Sequence, residues 1–255
     1  MRLLVVNPNT SDSVTQRVAA QAGRVARPGT EIIAVTGSFG ARVITTRSEQ
    51  AVAEHATLDA LAQHADGCDA VVLAVSFDTA LRAAREMLPI PVVGITEAAL
   101  LTACMLGTRI GVVVFGRRML PMYQEVAQLH GLGARIGGWR ALTDTSPYNL
   151  GADQNAVEES IIGAVADLVD LDQCEAVVLA GAVMAGVPER LQARVTVPLL
   201  DGVACAVAQA ELLVRLGRPK ATSGSLAALP RRDVVALSAA LQARFDPQPS
   251  LPPPP

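Results

Sequence analysis

Polar side chains follow two apolar runs that have the composition of buried strands, "LLVV" (3–6) and "AVVLAV" (70–75). Amide, hydroxyl and carboxyl groups there could bind a carboxylate or imide edge, or transfer a proton. The same residue types also form turns and cap helices, so capping alone is the competing interpretation. These candidates are Asn7, Asn9, Thr10, Ser76, Asp78 and Thr79.

Further candidates come from the other loops expected at the carboxyl ends of strands, where α/β proteins bind ligands. Phe39 lies in the glycine-punctuated "GSFGAR", and Gly181 and Ala182 follow "AVVLA". Glu97 follows "IPVVGI" and is either a site residue or an acid in the first turn of a helix.

Several kinds of site are not indicated. There is no metal-ligand spacing such as HExxH or CxxC, no phosphate-binding glycine motif and no GxSxG. We therefore predict no metal and no cofactor. The three histidines and four cysteines lie in helical segments or before strands, where a structural role is expected; they are His55, His64, His130, Cys68, Cys104, Cys174 and Cys205.

Composition limits the possible partners of this 255-residue chain. The net charge is −3 and no basic cluster is present, so nucleic acid is not an expected partner. No apolar run reaches the length of a membrane span, and the first apolar run is too short for a signal peptide. Four scattered cysteines favour a reduced, cytoplasmic protein. We expect a small-molecule substrate, with a homo-oligomer left open.

Apolar strands alternate with helices along the chain, which predicts an α/β fold with parallel sheets. The predicted helices include one that opens at Ser48 and others over about 118–131, about 154–170 and 231–245. A Cys-acid-AVVLA segment occurs twice, at 68–74 and 174–180, and "IPVVGI" is echoed by "VPLLDG". Two similar lobes explain this repeat. The first is predicted at 1–97 plus about 206–245, the second at 98–205, and 246–255 is a Pro-rich tail.

The order of several motifs resembles the hydantoin and allantoin racemases of the aspartate/glutamate racemase superfamily. The motifs are "LLVVNPNTS", "FGAR", "AARE", "IPVVGITEAA", "RIGVVVF", "AVVLAGAVMAG" and "VPLLDGVACAV", from residue 1 to about 217. The resemblance implies two pseudo-symmetric α/β lobes with the active site between them and a cofactor-independent racemisation. It also implies that two thiols exchange the α-proton while the NPNT segment holds the substrate.

The chain departs from that family pattern at both thiols. Laid on A-C-F-x-D-P-G-L and G-C-A-G-M-A, the sequence has Val75 and Gly181 at the cysteine positions, and these two also match each other in the internal repeat. A shift of the alignment by one residue would place Ser76 or Ala182 there instead, and neither choice gives a thiol. Valine and glycine transfer no proton. The remaining candidates for catalysis are Asp78, acting as a single base, and Ser76.

Three functions remain open at this stage. The first is an isomerase or racemase acting on a small hydantoin-like or α-substituted carboxylate without cysteine. The second is a lyase, hydrolytic or ring-forming enzyme on the same scaffold. The third is an inactive paralogue that binds a small molecule.

Overall fold

Two four-stranded parallel sheets form the centre of the computed structural model, which describes residues 1–142, 154–230 and 232–246. The first has the order β2-β1-β3-β4 and the second β6-β5-β7-β8. The strands are β1 (Arg2–Asn7), β2 (Glu31–Thr36), β3 (Ala70–Leu73), β4 (Val92–Gly94), β5 (Ile110–Phe115), β6 (Ile136–Leu142), β7 (Ala176–Leu179) and β8 (Leu199–Asp201). The predicted fold class is confirmed.

Helices flank both sheets. The α-helices are α1 (Asp12–Val25), α2 (Arg47–His64), α3 (Leu81–Met87), α4 (Ile95–Leu106), α5 (Leu120–Leu129), α6 (Gln154–Asp170), α7 (Val187–Leu191), α8 (Gly202–Leu216) and α9 (Ala239–Phe245). Short 3-10 turns cover Gly133–Arg135, Ala182–Met184 and Gln192–Arg194. Helix α8 packs on β3 and β4, and α9 packs on α2, so both contact the first lobe. On the basis of this packing, we propose that the chain divides into the two lobes predicted from the sequence, 1–97 plus about 206–245 and 98–205.

The repeated Cys-acid-AVVLA segment makes the same strand junction in both lobes. The carboxylate of Asp69 accepts a hydrogen bond from the backbone N–H of Arg2 at 2.6 Å, and that of Glu175 accepts from Arg109 at 3.3 Å. Each acid therefore fixes the start of the central strand beside it. The strands β3 and β7 that follow are buried along their whole length, so packing selects the same apolar residues in each.

The backbone after β3 and β7 repeats as well. Ala80 has φ 61° and ψ 13° directly before α3, and Gly186 has φ 77° and ψ 3° directly before α7. The left-handed conformation costs an alanine roughly 1–2 kcal/mol. The two loops therefore end in the same backbone turn, but they differ earlier: Asp78 has a positive φ in the first loop and Gly181 has one in the second.

Two predicted helix boundaries are wrong. Helix α2 was expected to open at Ser48, but Thr46 is its N-cap, with Thr46 and Glu49 exchanging hydrogen bonds in a capping box. The segment 231–245 was expected to be helical, but only Ala239–Phe245 is, because Ser238 caps Leu241 N and starts the helix there. Arg231 and the tail from 247 lie outside the described residues.

Candidate active site

A small cavity lies between the carboxyl ends of the two sheets. We call it the inter-sheet cavity. It is lined by Asn9, Val14, Ile44, Ala74, Val75, Ser76, Ala182 and Val183. Its volume is about 10 Å³, which is room for about one water molecule. A substrate larger than water therefore enters only if the lobes or their loops separate.

Two hydroxyl groups lie beside Gly181, and one of them belongs to Ser76, which lines this cavity. A Cβ placed on Gly181 would lie 3.3 Å from Tyr123 Oη and 3.6 Å from Ser76 Oγ. Ser76 comes from the loop after β3, and Tyr123 from α5 of the second lobe. The rings of Tyr123 and Phe77 pack with their centroids 4.9 Å apart, which connects the two lobes at this point. The hydroxyls of both lobes thus meet around one glycine.

Gly181 has a backbone conformation that few other residues adopt, with φ 113° and ψ 143°. Val75, the matching residue in the first lobe, is buried and lines the inter-sheet cavity. Neither position carries a thiol, and none of the chain's four cysteines lines this cavity.

The cysteines are poorly suited to proton transfer where they are. Cys68 and Cys174 lie at the amino ends of β3 and β7, as predicted, and burial raises the pKa of both thiols. Burial raises the pKa of Cys205 to about 11. Thiolate is therefore scarce at neutral pH at these three positions.

The NPNT segment presents one free amide group to the inter-sheet cavity. Asn7 is buried and donates through Nδ2 to Asn9 Oδ1 and Thr15 Oγ1, each at 2.9 Å. Asn9 Oδ1 also accepts from Ser11 N, while Asn9 Nδ2 has no partner among the described residues. Asn7 therefore orients Asn9, and Asn9 can donate to a ligand. Thr10 bonds through its backbone N–H to Ala41 O at 3.1 Å.

Asp78 is buried, but its carboxylate faces α4 and not the inter-sheet cavity. Oδ1 accepts from Thr96 N at 2.9 Å, and Oδ2 accepts from Glu97 N at 2.7 Å. A side chain at Gly94 would collide with this carboxylate, so glycine is required there. Asp78 thereby caps the N-terminus of α4 from a distant loop.

His130 joins Asp78 to a chain of charged groups. Its Nε2 lies 3.0 Å from Asp78 Oδ2, and its Nδ1 lies 3.4 Å from Glu97 Oε1. Arg85 donates to both carboxylate oxygens of Glu97. Burial raises the pKa of Asp78, and the hydrogen bond from His130 opposes that effect. His130 lies at the end of α5, so this chain holds α5 against the loop that carries Ser76.

The other predicted site residues have separate positions. Phe39 is partly exposed and packs edge-on against His55, with ring centroids 5.2 Å apart. Thr79 is buried, and its Oγ1 has no hydrogen-bond partner within the described part of the chain. Ala182 lines the inter-sheet cavity, whereas Thr79, Phe39 and Glu97 do not.

Sequence reasoning did not find Tyr123 or the role of His130. Both lie within the segment predicted to be helical, and nothing in their spacing shows that they face the first lobe. The one weak signal for Tyr123 is the rarity of its residue type, because aromatic residues make up only 3% of the chain and two of them are tyrosines.

Among the described residues, no group of three or more His, Cys, Asp or Glu side chains is arranged to hold a metal ion. In that same part of the chain, no helix is long and apolar enough to cross a membrane.

The fold is that of an α/β protein with two four-stranded parallel sheets and a small cavity between their carboxyl ends. Residues 3–210 match the Asp/Glu/Hydantoin racemase family, and the chain belongs to this family. It is therefore grouped with isomerases.

Individual relatives agree with this assignment. The chain is 33% identical to a hydantoin racemase of Paenarthrobacter aurescens over 224 residues, which cover 85% of this chain and 92% of that protein. It is 31% identical to a hydantoin racemase of Pseudomonas sp. (strain NS671) over 219 residues, or 86% and 88% of the two chains. The crystal structure of an allantoin racemase from Pseudomonas fluorescens superposes with a TM-score of 0.88 at 36% identity, covering 92% of this chain and all of that one.

Proposed function

We propose that the protein is a cofactor-independent isomerase that racemises a small hydantoin-like or α-substituted carboxylate without using cysteine. The observation that carries this proposal is the pair of hydroxyls beside Gly181, Ser76 Oγ and Tyr123 Oη, next to a cavity that Ser76 lines and no cysteine lines.

The hydroxyls are suited to stabilise charge and not to remove a proton. Unperturbed tyrosine has a pKa of about 10, so a tyrosine hydroxyl is almost entirely protonated at pH 7 and very little tyrosinate is present to act as a base. When the α-proton leaves, negative charge moves to the adjacent carbonyl oxygen, and hydrogen-bond donors aimed at that oxygen lower the barrier. Ser76 and Tyr123 would be these donors, and water would exchange the proton.

Substrate binding is assigned to the NPNT segment. Asn9 Nδ2 lies at the inter-sheet cavity without a partner among the described residues and would donate to a carbonyl or carboxylate of the substrate. Asn7 would position Asn9 through their hydrogen bond at 2.9 Å.

Asp78 receives a positioning role in this proposal. Both of its oxygens are used by α4 and His130, which fixes the loop that carries Ser76. Direct proton transfer by Asp78 stays a prediction from the sequence.

The direct test is to incubate the protein with enantiopure 5-substituted hydantoins and α-substituted carboxylates. Optical purity is followed by chiral chromatography and product mass by mass spectrometry. We expect loss of optical purity above the buffer rate with unchanged mass. No loss across the panel would contradict the proposal, and a product of different mass would indicate a lyase or hydrolase instead.

A further inference from the structure

A second cavity lies far from the carboxyl ends of the strands. We call it the α3–α8 cavity. It has a volume of about 340 Å³ and lies between the segment Leu88–Val92, which ends at the first residue of β4, and the end of α8 with the residues that follow. This volume is at the lower end of the range of about 300–1,000 Å³ that is typical of small-molecule sites.

Apolar residues form most of the wall, and five of them are leucine or isoleucine: Leu88, Ile90, Leu213, Leu216 and Leu226. Leu88 is fully buried, but Leu213, Leu216 and Leu226 remain 41%, 52% and 39% exposed. An aliphatic ligand in this cavity would remove that apolar surface from water, which is favourable by about 25 cal/mol per Å².

The charged groups at this cavity are all cationic. Arg85, Arg218 and Lys220 line it, and no carboxylate of the described residues does. Arg85 is already paired with Glu97 and donates to Val92 O at 3.0 Å, whereas Arg218 has no partner among the described residues. The two cations open to a ligand are therefore Arg218 and Lys220.

The positive charge of Lys220 is only weakly compensated by negative groups of the chain. Its ammonium donates to the backbone carbonyl of Glu86 at 2.5 Å, and burial lowers its pKa although the charge of Glu86 opposes this effect. A carboxylate placed between Lys220 and Arg218 would supply the missing negative charge.

We propose that the α3–α8 cavity binds a medium-chain aliphatic carboxylate, with its chain against the leucines and its carboxylate between Arg218 and Lys220. This site is independent of the proposed racemase function, because it lies at the amino end of β4 and shares no residue with the inter-sheet cavity.

Octanoate is the probe, measured by calorimetry and by thermal shift on the full chain. We expect saturable binding and a Tm that rises with octanoate concentration. The neutral isostere octanamide should bind at least tenfold more weakly, and acetate should not bind. No saturable octanoate binding, or equal binding of octanamide, would overturn the proposal.

Variants separate the two parts of the site. The pair Arg218→Ala and Lys220→Ala should weaken octanoate binding at least tenfold, whereas Arg215→Ala, which removes a charge outside the cavity, should not. Leu213→Trp should obstruct the cavity and weaken octanoate binding at least tenfold, whereas Leu212→Trp, on the same helix but outside the lining, should bind octanoate like the native chain. If octanoate does not bind and Leu213→Trp converts a dimer to a monomer by light scattering, the cavity face is an interface between copies and the proposal is wrong.

Discussion

Gly181 illustrates how one residue limits what the site can become. A Cβ there would lie 3.3 Å from Tyr123 Oη, a tight contact that a shift of a few tenths of an ångström relieves, so space by itself does not exclude a small side chain. Its φ of 113° does, because side chains other than glycine rarely adopt that conformation. A cysteine could occupy this position without strain only if the backbone conformation of the loop changed.

This conformation predicts the effect of Gly181→Ala on stability. We expect a loss of about 1–3 kcal/mol in the free energy of unfolding, measured by urea denaturation, because the strain must be absorbed by the loop. The control is Gly163→Ala on the exposed face of α6, where a Cβ meets nothing within 4 Å. That change should stabilise the chain by about 0.5–1 kcal/mol. Equal effects of the same sign would contradict the backbone argument.

We expect the substitution Ser76→Ala to lower the rate of racemisation with little effect on folding. Its Oγ has no partner among the described residues, so Ser76→Ala breaks no hydrogen bond within the protein. If it stabilises the developing anion, kcat/KM for racemisation should fall about 10²–10³-fold.

Tyr123→Phe should give a similar fall in rate, because the ring against Phe77 is retained and the hydroxyl is lost. Ser160→Ala, on exposed α6, is the control for both variants. Native-like rates in Ser76→Ala and Tyr123→Phe would show that the hydroxyls do not act in the reaction.

At the scale of elements, the two lobes cap equivalent helices by different means. Helix α8 is capped by its own Asp201, which accepts from Ala204 N at 2.9 Å. The matching position before α4 is Gly94, and Asp78 supplies the carboxylate from another loop. The position of the Ser76 loop thus depends on the start of α4.

This capping predicts how stability depends on pH. The pKa of Asp78 is raised by burial, so the folded chain binds a proton that the unfolded chain has lost above about pH 4. The contribution of Asp78 to the free energy of unfolding therefore falls as the pH rises from about 4 through the raised pKa. The charged groups that face Asp78 are His130 and, beyond it, Glu97 and Arg85.

Asp78→Asn removes the titrating group, so the difference in unfolding free energy between native and variant chains should change across this pH window. Urea denaturation at a series of pH values measures it, with the exposed Asp170→Asn as the control. A constant difference between the native chain and Asp78→Asn at all pH values would show that Asp78 does not titrate with folding.

The elements show how far sequence reasoning reaches. The repeat predicted two similar lobes, and α6 was predicted at its observed bounds, because buried strands and amphipathic helices leave a periodic pattern. The capping of α4 by Asp78 and the contact of His130 with Asp78 join residues 18 and 52 positions apart. No local pattern records such contacts, so Asp78 was expected at the site and His130 was not.

At the scale of the whole molecule, the scaffold is that of a racemase while the thiols are missing from the inter-sheet cavity. This predicts that alkylation with iodoacetamide leaves activity intact, because none of the four cysteines lines that cavity and burial raises the pKa of three of them. Mass spectrometry would locate any alkylated cysteine. Inactivation that follows modification of one cysteine would contradict the account.

The central claim is that this chain exchanges an α-proton without a thiol. The most direct measurement is the incorporation of deuterium at the α-carbon of a 5-substituted hydantoin in heavy water, followed by NMR with the alkylated protein. The account predicts exchange above the spontaneous rate, retained after alkylation and reduced in Ser76→Ala. Exchange no faster than in buffer, or exchange abolished by alkylation, would contradict it.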